Sequence, residues 1–215
     1  MSTLQVPAGD VRLEAEISEP DGAVRGVVVF AHGSGSGRHS PRNQEVAAAL
    51  TRRGFAALLF DLLTPGEEIE DLRTSQPRFN VPLLAGRLSR VVAWVRSGEL
   101  AGRPVGLFGA STGAAAALVA AANSPGDVGA VVSRGGRPDL AAHALGSVRA
   151  PTLLIVGGCD TEVLALNEQS LARMDPKAGH GLAVVPDAGH LFEEPGALRE
   201  VARLTMEWFC SNLLE

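Results

Sequence analysis

Residues Val105–Gly113 read VGLFGASTG, and AAAALVAAAN follows to Asn123. An apolar run, a glycine–serine turn and an alanine-rich stretch come in that order. They predict a buried strand over Val105–Phe108, a sharp turn, and a helix over Thr112–Asn123 that Pro125 ends. The turn Gly109–Gly113 has the form Gly-x-Ser-x-Gly. Between a strand and a helix, this pattern predicts a strained turn that pushes Ser111 out at the sheet edge. Glycines two residues either side leave room for the neighbouring chain. A chain with 25 glycines also makes five such residues by chance, as a plain tight turn. The flanking strand and helix are what separate the two readings.

The same alternation extends outward. Gly26–Ala31 (GVVVFA), Phe55–Asp61 (FAALLFD), Val128–Val132 and Thr152–Val156 are continuous apolar runs, as buried parallel strands are. Val11–Ile17 alternates apolar and polar residues and predicts a half-buried strand, and Leu182–Val185 a short one. Helices are predicted from the Ser40-Pro41 start to Arg53, over Pro82–Ser97, near Glu162–Met174, and from about Pro195 to Leu214. Residues 62–79 are charged and turn-rich, and no element is assigned there. Strands alternating with helices mean an α/β fold with a mostly parallel central sheet, here of seven or eight strands with helices on both faces. No repeat or low-complexity linker divides the chain, so residues 1–215 are read as one domain.

Composition narrows the function. Hydrophobic residues make up 46% of the 215, enough for a core that needs no disulfide or metal staple. A net charge of −5 argues against nucleic acid or an anionic membrane as partner. Cys159 and Cys210 alone make neither a disulfide framework nor a zinc site. Met1–Asp10 lacks the basic and apolar regions of a secretory signal, and no apolar run approaches the ~18 residues of a membrane span. A cytoplasmic protein with free thiols, no metal and no cofactor is the expectation.

A serine hydroxyl is a weak nucleophile at neutral pH and needs a base, itself oriented by a third group. Asp160 follows the Thr152–Val156 strand across Gly157-Gly158-Cys159, and His190 follows the Leu182–Val185 strand across Pro186–Gly189. Both stand just beyond the carboxyl end of a strand, where α/β sheets gather their sites. Singly, Asp160 reads as well as a helix N-cap and His190 as a loop histidine bonded to backbone. Together with Ser111 they read as a nucleophile–acid–base set. The loop His32–Gly37 (HGSGSG) follows the Gly26–Ala31 strand, and the backbone N–H groups of Ser34 and Thr112 are predicted to form an oxyanion hole. The loop has neither glycine pattern of a phosphate loop. His32 is read as an anchor for that loop. Arg38 and Arg42 after this loop, and Arg134 and Arg137 after the Val128–Val132 strand, are candidates to hold an anionic group of the substrate. Pairing with Asp61 and Asp139 is the alternative.

The segments HGSGSGRHSPRN, LLFDLLTP, GASTGAAAALVAAA, VVSRGGRPDL and AGHLFEEPGAL together resemble the small α/β-hydrolases without a separate cap domain that are called dienelactone-hydrolase-like. Some relatives are fused to phosphoribosyltransferases. The resemblance covers nearly the whole chain and implies the α/β-hydrolase fold with Ser111, Asp160 and His190 as triad. Dienelactone hydrolases proper use a cysteine nucleophile, and position 111 is serine, so the dienelactone substrate does not carry over. Nothing about nucleotides carries over either. The expected activity is hydrolysis of small or short-chain esters or lactones through an acyl-enzyme on Ser111. Acyl transfer by the same triad and non-catalytic ligand binding are the alternatives. Residues 62–79 are the only candidate cover for the site.

Overall fold

Gly26–Ala31 is buried at every position, and so are Phe55–Phe60, Val105–Ala110 and Thr152–Gly157. Apolar runs without polar alternation can sit only where both sheet faces are covered, and they form the middle of the sheet here. The computed structural model describes residues 2–214. Its strands are β1 (Ser2–Pro7), β2 (Arg12–Ser18), β3 (Gly26–Ala31), β4 (Phe55–Phe60), β5 (Val105–Ala110), β6 (Ala130–Arg134), β7 (Thr152–Gly157) and β8 (Gly181–Val185). They form one eight-stranded sheet in the order β1-β2-β4-β3-β5-β6-β7-β8. β3 to β8 run parallel, while β1 and β2 are antiparallel additions at one edge.

The helices are α1 (Pro41–Thr51), α2 (Pro65–Thr74), α3 (Gln76–Phe79), α4 (Val81–Ser97), α5 (Thr112–Asn123), α6 (Thr161–Leu171) and α7 (Ala197–Leu213). The pleat sorts side chains onto two cores. Val27, Val29 and Leu107 pack with α4 and α5 on one face. Val28, Phe30, Phe108 and Val132 pack with α1 and α7 on the other. Ala114–Ala117 are fully buried, which lets α5 lie close against the sheet beneath Ser111. Among the described residues, no helix is long and apolar enough to cross a membrane.

The main departure from the sequence reading is residues 62–79, which hold α2 and α3. Helix α2 starts with a capping box: the Thr64 hydroxyl accepts from Glu67 N–H at 3.3 Å, and Glu67 Oε2 accepts from Thr64 N–H at 2.8 Å. The same carboxylate takes two bonds, of 2.6 and 2.7 Å, from the buried Arg87 guanidinium on α4, and Arg87 also donates to the Leu62 carbonyl. These bonds hold the Glu67 carboxyl down to about 2, with Arg87 as the main cause. The folded value lies below the unfolded one, so the stabilisation is present above the ordinary carboxyl range and fades as pH falls toward the folded value. Glu67→Gln is expected to cost about 1–2 kcal/mol near neutral pH. The difference from wild type should shrink as pH falls below about 4.5. Urea unfolding midpoints of both proteins between pH 7 and pH 3 check this, and a gap that does not change with pH would contradict it.

Candidate active site

Ser111 sits at φ 50° and ψ −120°, between β5 and α5. A non-glycine residue there is strained, and such strain persists only where the surroundings fix it. Three hydrogen bonds do so: Ser111 N–H donates to the Arg134 carbonyl, and the N–H groups of Ala114 and Arg137 donate to the Ser111 carbonyl, each at 3.1 Å. The flanking glycines are forced by contact. A Cβ on Gly109 would lie 2.4 Å from Ala114 Cα, and one on Gly113 would lie 2.3 Å from the Ala31 carbonyl oxygen. The turn is therefore the strained one that the pattern predicts, not a plain tight turn.

The loops after β7 and β8 are fastened together, with Cys159 N–H donating to the Ala188 carbonyl at 2.9 Å. Asp160 occupies the N-cap position of α6, yet its side chain makes no capping bond. Its Oδ2 instead lies 2.6 Å from His190 Nδ1. The carboxylate thus meets the imidazole and leaves the helix N-terminus uncapped by its side chain. The His190 imidazole is partly exposed, with a side-chain exposure of 38%. It packs against Gly135, where an added Cβ would stand 3.6 Å from its Cε1. Gly135 follows the residue whose carbonyl holds Ser111 N–H, so histidine and serine share one corner of the sheet edge.

The HGSGSG loop lies on the other side of Ser111. A Cβ on Gly33 would come within 3.1 Å of the serine Cβ. The Ser34 and Thr112 hydroxyls are 3.0 Å apart. Among the described residues, neither backbone N–H of this pair donates to a protein acceptor. His32 is the loop anchor. Its ring is buried, its Nε2 accepts from Leu62 N–H at 2.9 Å, and its Nδ1 lies 2.9 Å from the Gly33 carbonyl. Burial holds its pKa below the ordinary histidine value.

A cavity of about 540 Å³ opens beside this corner. That is a usual size for a small-molecule site. Ser34 and Thr112 form one end, and α2 and α3 supply the far wall through Glu68, Leu72 and Arg78. Ser111 and His190 are not among its walls, so it adjoins Ser111 from the side of the HGSGSG loop. Residues 62–79 thus border the approach to the site.

The arginines divide. Arg38 is bonded to both Asp61 oxygens, by its N–H at 2.7 Å and by its guanidinium, and lies 3.9 Å from Glu14. Arg137 is bonded twice to Asp139, at 2.8 and 2.7 Å. Both were candidates for a substrate anion, and both guanidinia are taken by carboxylates of the chain itself. Asp61 directly follows β4, and Asp139 is two residues beyond Arg137. Arg134 is different: it is buried, and among the described residues no acceptor meets its guanidinium. No group of three or more His, Cys, Asp or Glu side chains suited to a metal ion occurs among the described residues.

Strand order, the strained serine and the His190–Asp160 pair at adjoining strand ends define the class as an α/β-hydrolase fold. The model of the dienelactone hydrolase family matches residues 13–207, and the chain belongs to that family. A dienelactone hydrolase from Anabaena variabilis, known from its crystal structure, is 52% identical over 99% of this chain and 97% of its own, with a TM-score of 0.94. Two curated proteins from strains of Mycobacterium tuberculosis, each described as a putative phosphoribosyl transferase, are 56% identical over 98% of this chain. The chain spans 46% of their length, about half. Est1E from Butyrivibrio proteoclasticus shares the fold, with a TM-score of 0.81 at 14% identity over the full length of both chains.

Proposed function

We propose that the protein is a serine hydrolase that cleaves small or short-chain carboxylic esters or lactones through an acyl-enzyme on Ser111. Family membership supports hydrolase chemistry. The observation that carries the finer reading is the Asp160–His190 contact of 2.6 Å beside a serine held at φ 50°. In this reading His190 takes the Ser111 proton as the hydroxyl attacks the carbonyl. Asp160 keeps the imidazole in one tautomer and stabilises the imidazolium that forms. The N–H groups of Ser34 and Thr112 receive the negative charge on the carbonyl oxygen. Preorganised donors of this kind are typically worth ~10²–10³ in rate each. His190 returns its proton to the leaving oxygen, then activates the water that releases the acid.

A cavity of about 540 Å³ beside the Ser111 corner is of the size small-molecule sites have, which supports a small ester or lactone as substrate. A panel of p-nitrophenyl esters tests the reading. Acetate and butyrate should turn over far above the buffer rate and palmitate should not. Turnover of palmitate alone, or of none of the esters, would overturn it.

A further inference from the structure

Asn167 is fully buried on α6, in the row Val163, Asn167, Ser170 that faces the protein. Asparagine is a modest helix former, and leucine would fill such a place without burying polar atoms. What the amide adds is two hydrogen bonds from one nitrogen. Its Nδ2 donates to the Val163 carbonyl, one turn back in the helix, at 2.8 Å. It also donates at 3.0 Å to the Gly136 carbonyl, in the loop after β6.

That loop touches both sides of the corner. Gly135 N–H donates to the Ile155 carbonyl of β7 at 2.7 Å, and Arg137 N–H donates to the Ser111 carbonyl at 3.1 Å. A Cβ on Gly135 would stand 3.2 Å from the His190 carbonyl oxygen and 3.6 Å from the ring Cε1. Gly136, between them, is buried and has no slack: a Cβ there would overlap Ser133 Oγ and stand 2.6 Å from Ala114 Cβ. Among the described residues, Asn167 is the one side chain that bonds the backbone of these three residues. Its helix starts at Asp160, whose carbonyl accepts from Leu164 N–H at 2.8 Å. One amide therefore ties the helix that carries Asp160 to the loop that holds Ser111 and packs against His190.

The geometry points to Asn167 as a positioning residue that sets Ser111 against the Asp160–His190 pair by fixing the Gly136 carbonyl. It touches no reacting atom, and its effect on rate rests on the hydrolase reading. Without the amide, the carbonyl of a buried residue loses its donor, and the loop shifts to find another. Gly135 and Arg137 move with it, and so do the ring and the serine that they touch. A misplacement of about 1 Å between reacting groups costs on the order of 10²-fold in rate.

The test compares Asn167→Leu, which keeps the volume and removes the donor, with Asn167→Ala, which removes it without added bulk should leucine not fit. Leu171→Ala is the control: Leu171 ends the same helix and packs against the core, so its loss loosens α6 and leaves the Asn167 bonds in place. Turnover of p-nitrophenyl acetate and the rate of fluorophosphonate labelling of Ser111 are measured on each protein well below its melting temperature. Both Asn167 variants should lose about 10–100-fold in kcat with KM within about threefold, and label more slowly by a similar factor. Leu171→Ala should melt earlier and keep both rates. A third readout needs no catalysis: the His190 Cε1–H resonance, assigned by its loss in His190→Gln, should move in the Asn167 variants and not in Leu171→Ala. Unchanged rates and resonance in a folded Asn167 variant, or the same losses in Leu171→Ala, would overturn the positioning role. Wild type that neither hydrolyses the ester nor takes the label, with the resonance still moving in the Asn167 variants, would instead overturn the hydrolase reading alone.

Discussion

Ser111→Ala is expected to lower kcat on small esters by roughly 10⁵–10⁶-fold, the loss seen when a nucleophile is removed from a triad that acts as a unit. The fold should survive, because the elbow is held by backbone bonds to Arg134, Ala114 and Arg137 that need no side chain at position 111. Stability gives a second readout. Ser111 sits at φ 50°, where any Cβ is strained and glycine is not. Ser111→Gly should be as inactive as the alanine variant and more stable than it by about 1 kcal/mol. Activity and melting temperature measured on all three proteins check both parts. A strained serine retained at a cost in stability is what a functional position looks like; a serine without a catalytic role would show the gain of stability on change to glycine but no loss of rate.

Asp160→Asn is expected to lower kcat by about 10⁴-fold with little change in stability. The change keeps the shape of the side chain and removes its charge. An amide turned toward His190 Nδ1 can present N–H where the carboxylate presented an acceptor, and it then favours the wrong tautomer of the ring. The same substitution separates the catalytic reading from the plainer one. Asparagine caps helices as well as aspartate does, so a residue that only capped α6 would tolerate it. Its carboxylate makes no capping bond and meets the imidazole at 2.6 Å, which is why a large effect on rate is expected and a small one on folding. Steady-state kinetics with a urea melt of the same sample decide the matter.

Much of this was legible in the chain because the physics was local. GVVVFA, FAALLF and TLLIVG have no polar alternation, so they belong between two covered faces, and they are β3, β4 and β7. The Gly-x-Ser-x-Gly turn needed glycine at both flanks for contacts that the fold does make. The histidine of HGSGSG reads as an anchor, and it accepts from Leu62 N–H. Other features were less legible. β1 is an edge strand with a weak pattern, defined by pairing with β2 across the turn at Gly9 rather than by its own residues. Helix α2 carried a readable signal in Thr64-Pro65-Gly66-Glu67, a capping box with proline at its start, which the surrounding charge and turn residues masked. β6 lies two residues later than the apolar run suggests, because its register is set by β5 and β7 and ends at Arg134. The four arginines after β3 and β6 look equivalent in sequence. Only tertiary contacts give Arg38 and Arg137 their carboxylates and leave Arg134 without one.

The most direct test of an activated Ser111 is labelling with a fluorophosphonate serine-hydrolase probe, followed by peptide mapping in a mass spectrometer. A serine activated by His190 gives one adduct per chain, on the peptide carrying Ser111, and Ser111→Ala gives none. Folded wild-type protein that takes no label, or takes it equally when Ser111 is alanine, would contradict the assignment of this serine as the nucleophile.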